Sequence, residues 1–371
     1  FEIEQEDDFR KYGYSKEHRP NPLVQMGLFM DGNGIPLAFN ISPGNTNEQT
    51  TLKPLEKKIL KDFGLADFIV CTDAGLSSTD NRKFNSIMNR SFITTQSLKT
   101  LKGFLKEWAL SKTGFHLLGH TEEFDVSKID KHIHRNHIFF KERWINENGI
   151  EQRLIVTFSP KYENYKKQIR EKHITQACTM IDAGTTRILR KGQNNVRKYI
   201  SSMNITADGE VANKVVHSLN EEAILEDSAF DGFYAACTNL EDNPEKIVQV
   251  MRGRWEIEEC FRIMKSEFEA RPIYLSREDR ITAHFLTCFM ALLIYRILEQ
   301  RVHFADEGYT VTDILRTIQG MQMLKRRDLF FPSYNRSRLT DILHQISGFC
   351  TDYEVITAKK MRKIIKASKK M

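Results

Sequence analysis

Strand and helix signals alternate near the start of the chain in an order that leaves few folds open. Two apolar runs in residues 21–42 flank Asp31-Gly32-Asn33-Gly34, a sequence suited to the left-handed backbone of a tight β-hairpin. A helix pattern comes next. Thr46 and Gln49 have capping-box spacing, and Leu52, Leu55 and Ile59 share one face. Phe68 to Cys71 is a short continuous apolar run, the pattern of a buried parallel strand, and it leads to Asp73. Ser78 or Thr79 caps a further helix through Met88, and 91–96 reads as another strand. Hairpin, helix, strand, helix, strand predicts an α/β fold built on a mixed sheet. The first five residues alternate as a strand does and there is no initiator Met, so the chain is expected to begin partway along a strand of a longer protein.

At 371 residues the chain has room for two or three domains with real cores. The texture changes between 97 and 227, where charge is dense around short strand-like pieces, HIFFKERWI and RLIVTFS, and around a helix over 162–180. This stretch reads as an inserted, partly β domain. The expected division is 1–96 and 228–302 as two parts of one α/β domain, 97–227 as the insert, and 303–371 as a helical, basic C-terminal region. Strand pattern returns at 230–239.

Hydrophobic content of 40% and charged content of 28% are those of an ordinary globular protein. The net charge of +6 permits a polyanionic partner without requiring one. Six scattered cysteines with no CxxC pair read as reduced core thiols of a cytoplasmic protein. The most apolar stretch, 283–298, contains His284 and Arg296 and reads as a core helix rather than a membrane span. No glycine-rich phosphate loop is present, which argues against ATP use.

The most informative segment is RGRWEIEECFRIMKSEF, 252–268. Asn243 and Pro244 suit a helix start, and Pro272 sets a boundary at Arg271. Between them Ile247, Val250, Ile257, Phe261, Met264 and Phe268 recur at three- and four-residue steps, within an arc of about 100° on a single helix. Arg254, Glu258 and Lys265 fall within about 40° of one another along that arc. Buried charges are costly unless paired or used. The bland alternative is an Arg254–Glu258 i,i+4 pair with Lys265 snorkelling. Asp73 is the second carboxylate of interest, because open α/β sheets place sites at the carboxyl ends of strands. A turn or N-cap role is the bland alternative there. A strand-end Asp and a helix-borne Glu on one side of a sheet suit Mg²⁺, and two such ions can activate water and stabilise a leaving oxygen in phosphodiester cleavage.

Arg254-x3-Glu258-x6-Lys265 resembles the core of the Tyr-Arg-Glu-Lys signature of DDE transposases from bacterial insertion sequences, in the insertion-sequence-four group with a β-rich insertion before the last acidic residue. Thr72-Asp73-Ala74-Gly75-Leu76-Ser77-Ser78 looks like that family's second-Asp segment. The segments GYSKEHRPN, GIPLAFNISPGNT and RPIY also look like this group. The resemblance implies an RNase H-like fold, interrupted by the insert and followed by the helical C-terminal region. It implies Asp73 and Glu258 as catalytic metal ligands for two Mg²⁺ or Mn²⁺ ions, with Arg254, Arg262 and Lys265 on DNA. Double-stranded DNA at element ends and target, a homodimer in the DNA complex, no membrane and a nucleoid-associated cytoplasmic location are the matching expectations.

Two positions depart from the pattern. The signature's Tyr falls on Met251. The family's first Asp lies on the first strand, upstream of residue 1, so this chain by itself is expected to be inactive. Asp7 and Asp8 look like loop residues, and Asp31 is in the hairpin turn. The rival readings are a non-catalytic DNA-binding remnant and an RNase H-like nuclease without a transposition role. His132, His134 and His137 suggest zinc only weakly, and a surface strand is the expectation. Trp108 and Trp144 could stack on a base, but core packing is the expectation for each. The basic tail, 358–371, is expected either to touch phosphates or to form a solvated helix end.

Overall fold

Asp31 makes the hairpin. Its carboxylate accepts hydrogen bonds from the Asn33 and Ile35 N–H groups at 2.9 and 2.8 Å, while Gly34 takes φ +78°. The structure is a computed structural model that describes residues 6–13, 21–64, 68–183, 196–204, 215–352 and 355–368. The opening strand expected at 1–5 and most of GYSKEHRPN lie outside the described residues.

In chain order the first elements are β1 (Val24–Met30), β2 (Pro36–Pro43), α1 (Glu48–Phe63), β3 (Phe68–Thr72), α2 (Thr79–Phe84) and β4 (Arg90–Thr95). Next come α3 (Gly103–Leu110), β5 (Phe115–Leu117), β6 (Glu123–Phe124), β7 (Phe139–Glu147), β8 (Ile150–Phe158) and α4 (Pro160–Asp182). They are followed by β9 (Ile200–Asn204), β10 (Val215–Leu219), α5 (Glu221–Ser228), β11 (Phe233–Thr238), α6 (Pro244–Arg252) and α7 (Trp255–Arg262). The chain ends with α8 (Glu278–Ala305), α9 (Val311–Gly320), β12 (Met323–Arg326), β13 (Leu329–Pro332), α10 (Arg338–Ser347), β14 (Ile356–Thr357) and α11 (Ala358–Ser368). The fold is mixed α/β.

The chain forms two compact units, Ala66–Met251 and the combination of Phe1–Leu65 with Arg252–Met371. The first holds a seven-stranded mixed sheet in the order β3-β4-β11-β8-β7-β5-β6. β3 and β4 run parallel, and the other pairings are antiparallel. β5 to β8 of the 97–227 stretch therefore continue the sheet that β3, β4 and β11 begin, while β9 and β10 pair only with each other among the described strands. α6 lays Ile247 and Val248 on Ile93 of β4 and Ile155 of β8. β3 buries Val70 and Thr72 and packs Cys71 against the cluster under α6, but leaves Ile69 55% exposed. β9, β10 and α4 gather a small separate cluster around Ala177, Tyr199 and Ile200.

The second unit holds the β1–β2 hairpin, α1, α7 to α11 and the sheet β12-β13-β14. The order of signals suggested one sheet for the hairpin and the strands after it. The pairings separate them, because none of the described strands bonds to both the hairpin and β3. α1 is capped by Asn47, whose side chain accepts from Gln49 N–H at 3.1 Å, rather than by a box at Thr46. α2 stops at Phe84, short of Met88, because the chain turns there. The core runs along one face of α8, where Ile281, Phe285, Cys288, Leu292, Tyr295 and Val302 meet Cys260, Ile263 and Met264. By length and composition α8 is long and apolar enough to cross a membrane. Its buried face also carries charge, Arg296 and Glu299.

Arg296 is the joint of this unit. Nε donates to Gly34 O at 3.0 Å, one terminal nitrogen to Glu299 at 2.6 Å, and the other to Glu256. A Cβ on Gly34 would stand 2.3 Å from that second nitrogen, so the glycine serves both the turn and the approach. Arg296→Met should destabilise the protein by about 3–5 kcal/mol, since it strands the buried Glu299 carboxylate. Denaturant unfolding measures this, and a loss below about 1 kcal/mol would show the pair to be dispensable.

In the other unit, Lys141 of β7 is buried beneath the end of α3. Its ammonium donates to Trp108 O at 2.6 Å, Ser111 O at 2.7 Å and Thr113 O at 3.4 Å. Burial, helped by the charge of Lys112, pulls its pKa down to about 8. Between about pH 8 and 10.5 the unfolded chain therefore holds a proton that the folded chain has released, and stability rises with pH. Relative to Lys141→Met, the wild type should gain roughly 1–3 kcal/mol across that window in urea unfolding. A flat difference would mean the ammonium stays charged throughout.

Candidate active site

Asp73 follows β3 and caps a single 3-10 turn, Ala74–Leu76. One carboxylate oxygen accepts from Leu76 N–H at 3.2 Å. The other oxygen has no partner among the described residues, and the side chain is exposed. The strand end is fixed by threonines. Thr72 Oγ1 donates to Thr94 Oγ1 at 3.0 Å, and Thr94 Oγ1 reaches Asp73 O at 3.4 Å, across the parallel β3–β4 register. The capping role is thus real, and it occupies half of the carboxylate.

Glu258 lies on α7 in the other unit. The single helix expected over 243–271 is three pieces. Asn243 does start it, accepting from Glu245 N–H at 3.0 Å. α6 then ends at Arg252, Gly253 and Arg254 interrupt, and α7 begins at Trp255. Glycine loses most by being fixed in a helix, so the break falls there. After Arg262 the chain enters a π turn, Ile263–Glu267, in which Phe268 N–H bonds to Ile263 O at 3.0 Å. The π turn rotates the residues C-terminal to it. The face that reaches the core is Cys260, Ile263 and Met264, while Val250 is exposed and Ile257, Phe261 and Phe268 are half-buried. Burial pushes the Cys260 thiol up to about 12, so it is an inert core thiol.

The charged residues of this segment separate by environment. Glu258 is exposed and has no ion pair among the described residues, so the i,i+4 partnership with Arg254 is not made. Arg254 is half-buried at the entry to α7, and Lys265 is half-buried inside the π turn. π turns recur at functional sites because they re-aim side chains. Arg262 is exposed but engaged. It holds Glu259 at 2.8 and 2.5 Å and Glu267 at 3.4 Å, and hydrogen bonding to Glu259 strengthens its hold on its proton. In return the Glu259 carboxyl sits below the usual range. Glu256 passed unmarked in the sequence. Its partner Arg296 is 40 positions away, and no local pattern signals such a contact.

The remaining candidates are elsewhere. Met251, at the signature's Tyr position, packs against the Ile93–Ile155 cluster. Asp7 is a loop residue. It accepts from Phe9 N–H and Arg10 N–H, and the hydrogen bond from the Arg10 side chain leads in holding its pKa at about 2. His132, His134 and His137 lie in turns and coil rather than on a strand, because Asp130 accepts from the His132 and Ile133 N–H groups. Trp108 is half-buried with Lys141 over its ring. Trp144 is 45% exposed rather than packed inside, in a cleft shared with Glu142, Glu151 and Glu241. Arg153 in the same cleft neutralises Glu142 at 2.5 Å, and Glu151 and Glu241 repel a phosphate backbone.

The structure therefore supplies a mixed α/β scaffold with an exposed carboxylate at a strand end and another on a short helix among cations. A family model described as Transposase DDE domain matches residues 1–294, a span that takes in Asp73, Arg254, Glu258, Arg262 and Lys265. The chain belongs to the transposase DDE domain family. No curated protein matches it.

Proposed function

We propose that this protein is the RNase H-like transposase of a bacterial insertion sequence, of the Tyr-Arg-Glu-Lys signature group, which cleaves and joins DNA strands in transposition. The observation that carries the reading is Glu258, an exposed carboxylate without a counter-ion among the described residues, inside a segment rich in paired charges and within the span of the transposase match. Asp73 and Glu258 offer hard oxygen ligands, and one Asp73 oxygen and the Glu258 carboxylate, unengaged among the described residues, suit Mg²⁺ or Mn²⁺. When bound, such ions activate water and stabilise the leaving oxygen. Arg254 and Lys265 hold the phosphate backbone. Arg262 has a lesser share, because Glu259 and Glu267 already neutralise it. The partners are double-stranded DNA at element ends and target, with a second copy of the chain in the DNA complex. The setting is the cytoplasmic nucleoid, and α8 serves as a core helix.

The test is Mg²⁺-dependent cleavage of a labelled element-end duplex by the full-length protein. Glu258→Gln preserves shape and removes a ligand charge. It should bring cleavage to background and leave DNA affinity essentially unchanged. Lys265→Ala should weaken binding and lower the salt slope by about 0.9, the share of one phosphate contact. Full activity in Glu258→Gln would overturn the metal-ligand assignment. DNA binding with no cleavage by the wild type would favour a binding remnant.

A further inference from the structure

The C-terminal region holds a second group of metal-ligating side chains, apart from the acidic residues described above. His344 stands on the last turn of α10, and Gly348 ends that helix with φ +67°. The left-handed residue turns the chain so that Cys350 and Asp352 come back to His344. The ligating atoms of the three all lie within 4.8 Å of one another. His344 Nδ1 is 3.7 Å from Cys350 Sγ and 3.5 Å from Asp352 Oδ2, and Cys350 Sγ is 2.9 Å from Asp352 Oδ1.

We propose that His344, Cys350 and Asp352 form a zinc site, with water completing a tetrahedron. Bonds of about 2.0–2.3 Å to a tetrahedral ion place neighbouring ligand atoms roughly 3.3–3.8 Å apart. Nδ1 to Sγ at 3.7 Å and Nδ1 to Oδ2 at 3.5 Å already fall there, and one ligand atom from each of the three residues lies within 4.8 Å of the others.

Burial is the second reason. The Asp352 side chain is 1% exposed and that of His344 7%. No lysine or arginine among the described residues pairs with Asp352, and its other contact is the Thr340 hydroxyl at 3.5 Å. A buried carboxylate needs a cation or its equivalent. Zinc supplies it, with one thiolate and one carboxylate neutralising the ion and the thiol proton leaving to solvent. Thiolate and imidazole also select zinc over magnesium.

The outer contacts of the imidazole fit as well. His344 Nε2 faces Thr351 Oγ1 at 3.1 Å and the Tyr334 hydroxyl at 3.3 Å, closer than the Thr351 N–H at 3.4 Å. An Nε2–H donated to these hydroxyls leaves Nδ1 bare for a metal. The same geometry excludes a Cys-His-Asp nucleophile. That arrangement needs thiol and carboxylate on opposite ring nitrogens, whereas both converge on Nδ1 here. The ion would clamp the end of α10 to the segment leading into β14 and α11.

Metal analysis of the full chain after dialysis against metal-free buffer tests the site. A single zinc per chain is expected, and its loss in Cys350→Ser and in His344→Gln. Co²⁺ added to the metal-stripped wild type should give a thiolate-to-cobalt absorption band, which the carboxylates Asp73 and Glu258 cannot produce. Circular dichroism checks that the variants fold. A readout without variants is alkylation of Cys350, followed by mass spectrometry of its own peptide, which zinc should slow by about tenfold or more. Zinc content unchanged in Cys350→Ser, or alkylation at equal rates with zinc and with chelator, would overturn the site.

Discussion

One guanidinium organises the unit that carries Glu258. Arg296 projects from the middle of α8 and holds the hairpin turn through Gly34 O, its own helix through Glu299, and the start of α7 through Glu256. A buried Arg is tolerated only when such partners are complete, and Arg alone presents enough donors in a rigid fork to serve three directions. The consequence reaches Glu258 directly. Glu256 is two residues before it, so the contact that satisfies Arg296 also fixes the first turn of α7 and leaves the next acidic side chain outside. Burial holds the Glu299 carboxyl above its ordinary value against the opposing pull of Arg296, so the pair stands or falls together.

The electrostatics of α7 and the π turn obey the same division. Acidic residues with a structural task are paired, Glu256 to Arg296 and Glu259 with Glu267 to Arg262. Glu258 is left over among the described residues. In a stretch this charged, a spare carboxylate on an exposed helix face costs little in water, and it gains value only if a cation arrives. That asymmetry, rather than the density of charge, separates the candidate ligand from its neighbours.

Elements specified by local chemistry were legible in the sequence. The hairpin rests on Asp31 and Gly34. β4, β7, β8 and β11 fall on the stretches that read as strands, α4 covers the helix expected over 162–180, and the start of α6 follows Asn243. The hidden features depended on phase or distance. A helical projection assumes constant rotation, so it finds Ile247 and Met264, which are buried, but misses Cys260 and Ile263 and over-credits Ile257 and Phe261, which are half-buried. The joining of β7 and β8 to β11 is a long-range pairing, and a charged texture conceals it. The site divided likewise. Asp73 and Glu258 could be singled out by position and motif, but the capping of Asp73 by one oxygen and the neutralisation of Arg262 required coordinates.

The family match ends at residue 294, inside α8, yet the core that seats α7 does not. Val311 and Ile314 of α9 and Leu339, Ile342 and Leu343 of α10 share one cluster with Cys260, Ile263 and Met264. Arg296 and Glu299 also lie beyond the match. The helix bearing Glu258 is therefore held by residues that the transposase span does not include. Packing of this kind transmits strain, because interiors are close-packed and deform little. His344 follows Leu343 directly on α10, so whatever fixes the end of that helix acts on the same cluster that places α7. The C-terminal region is part of the support of the candidate site, not an appendage to it.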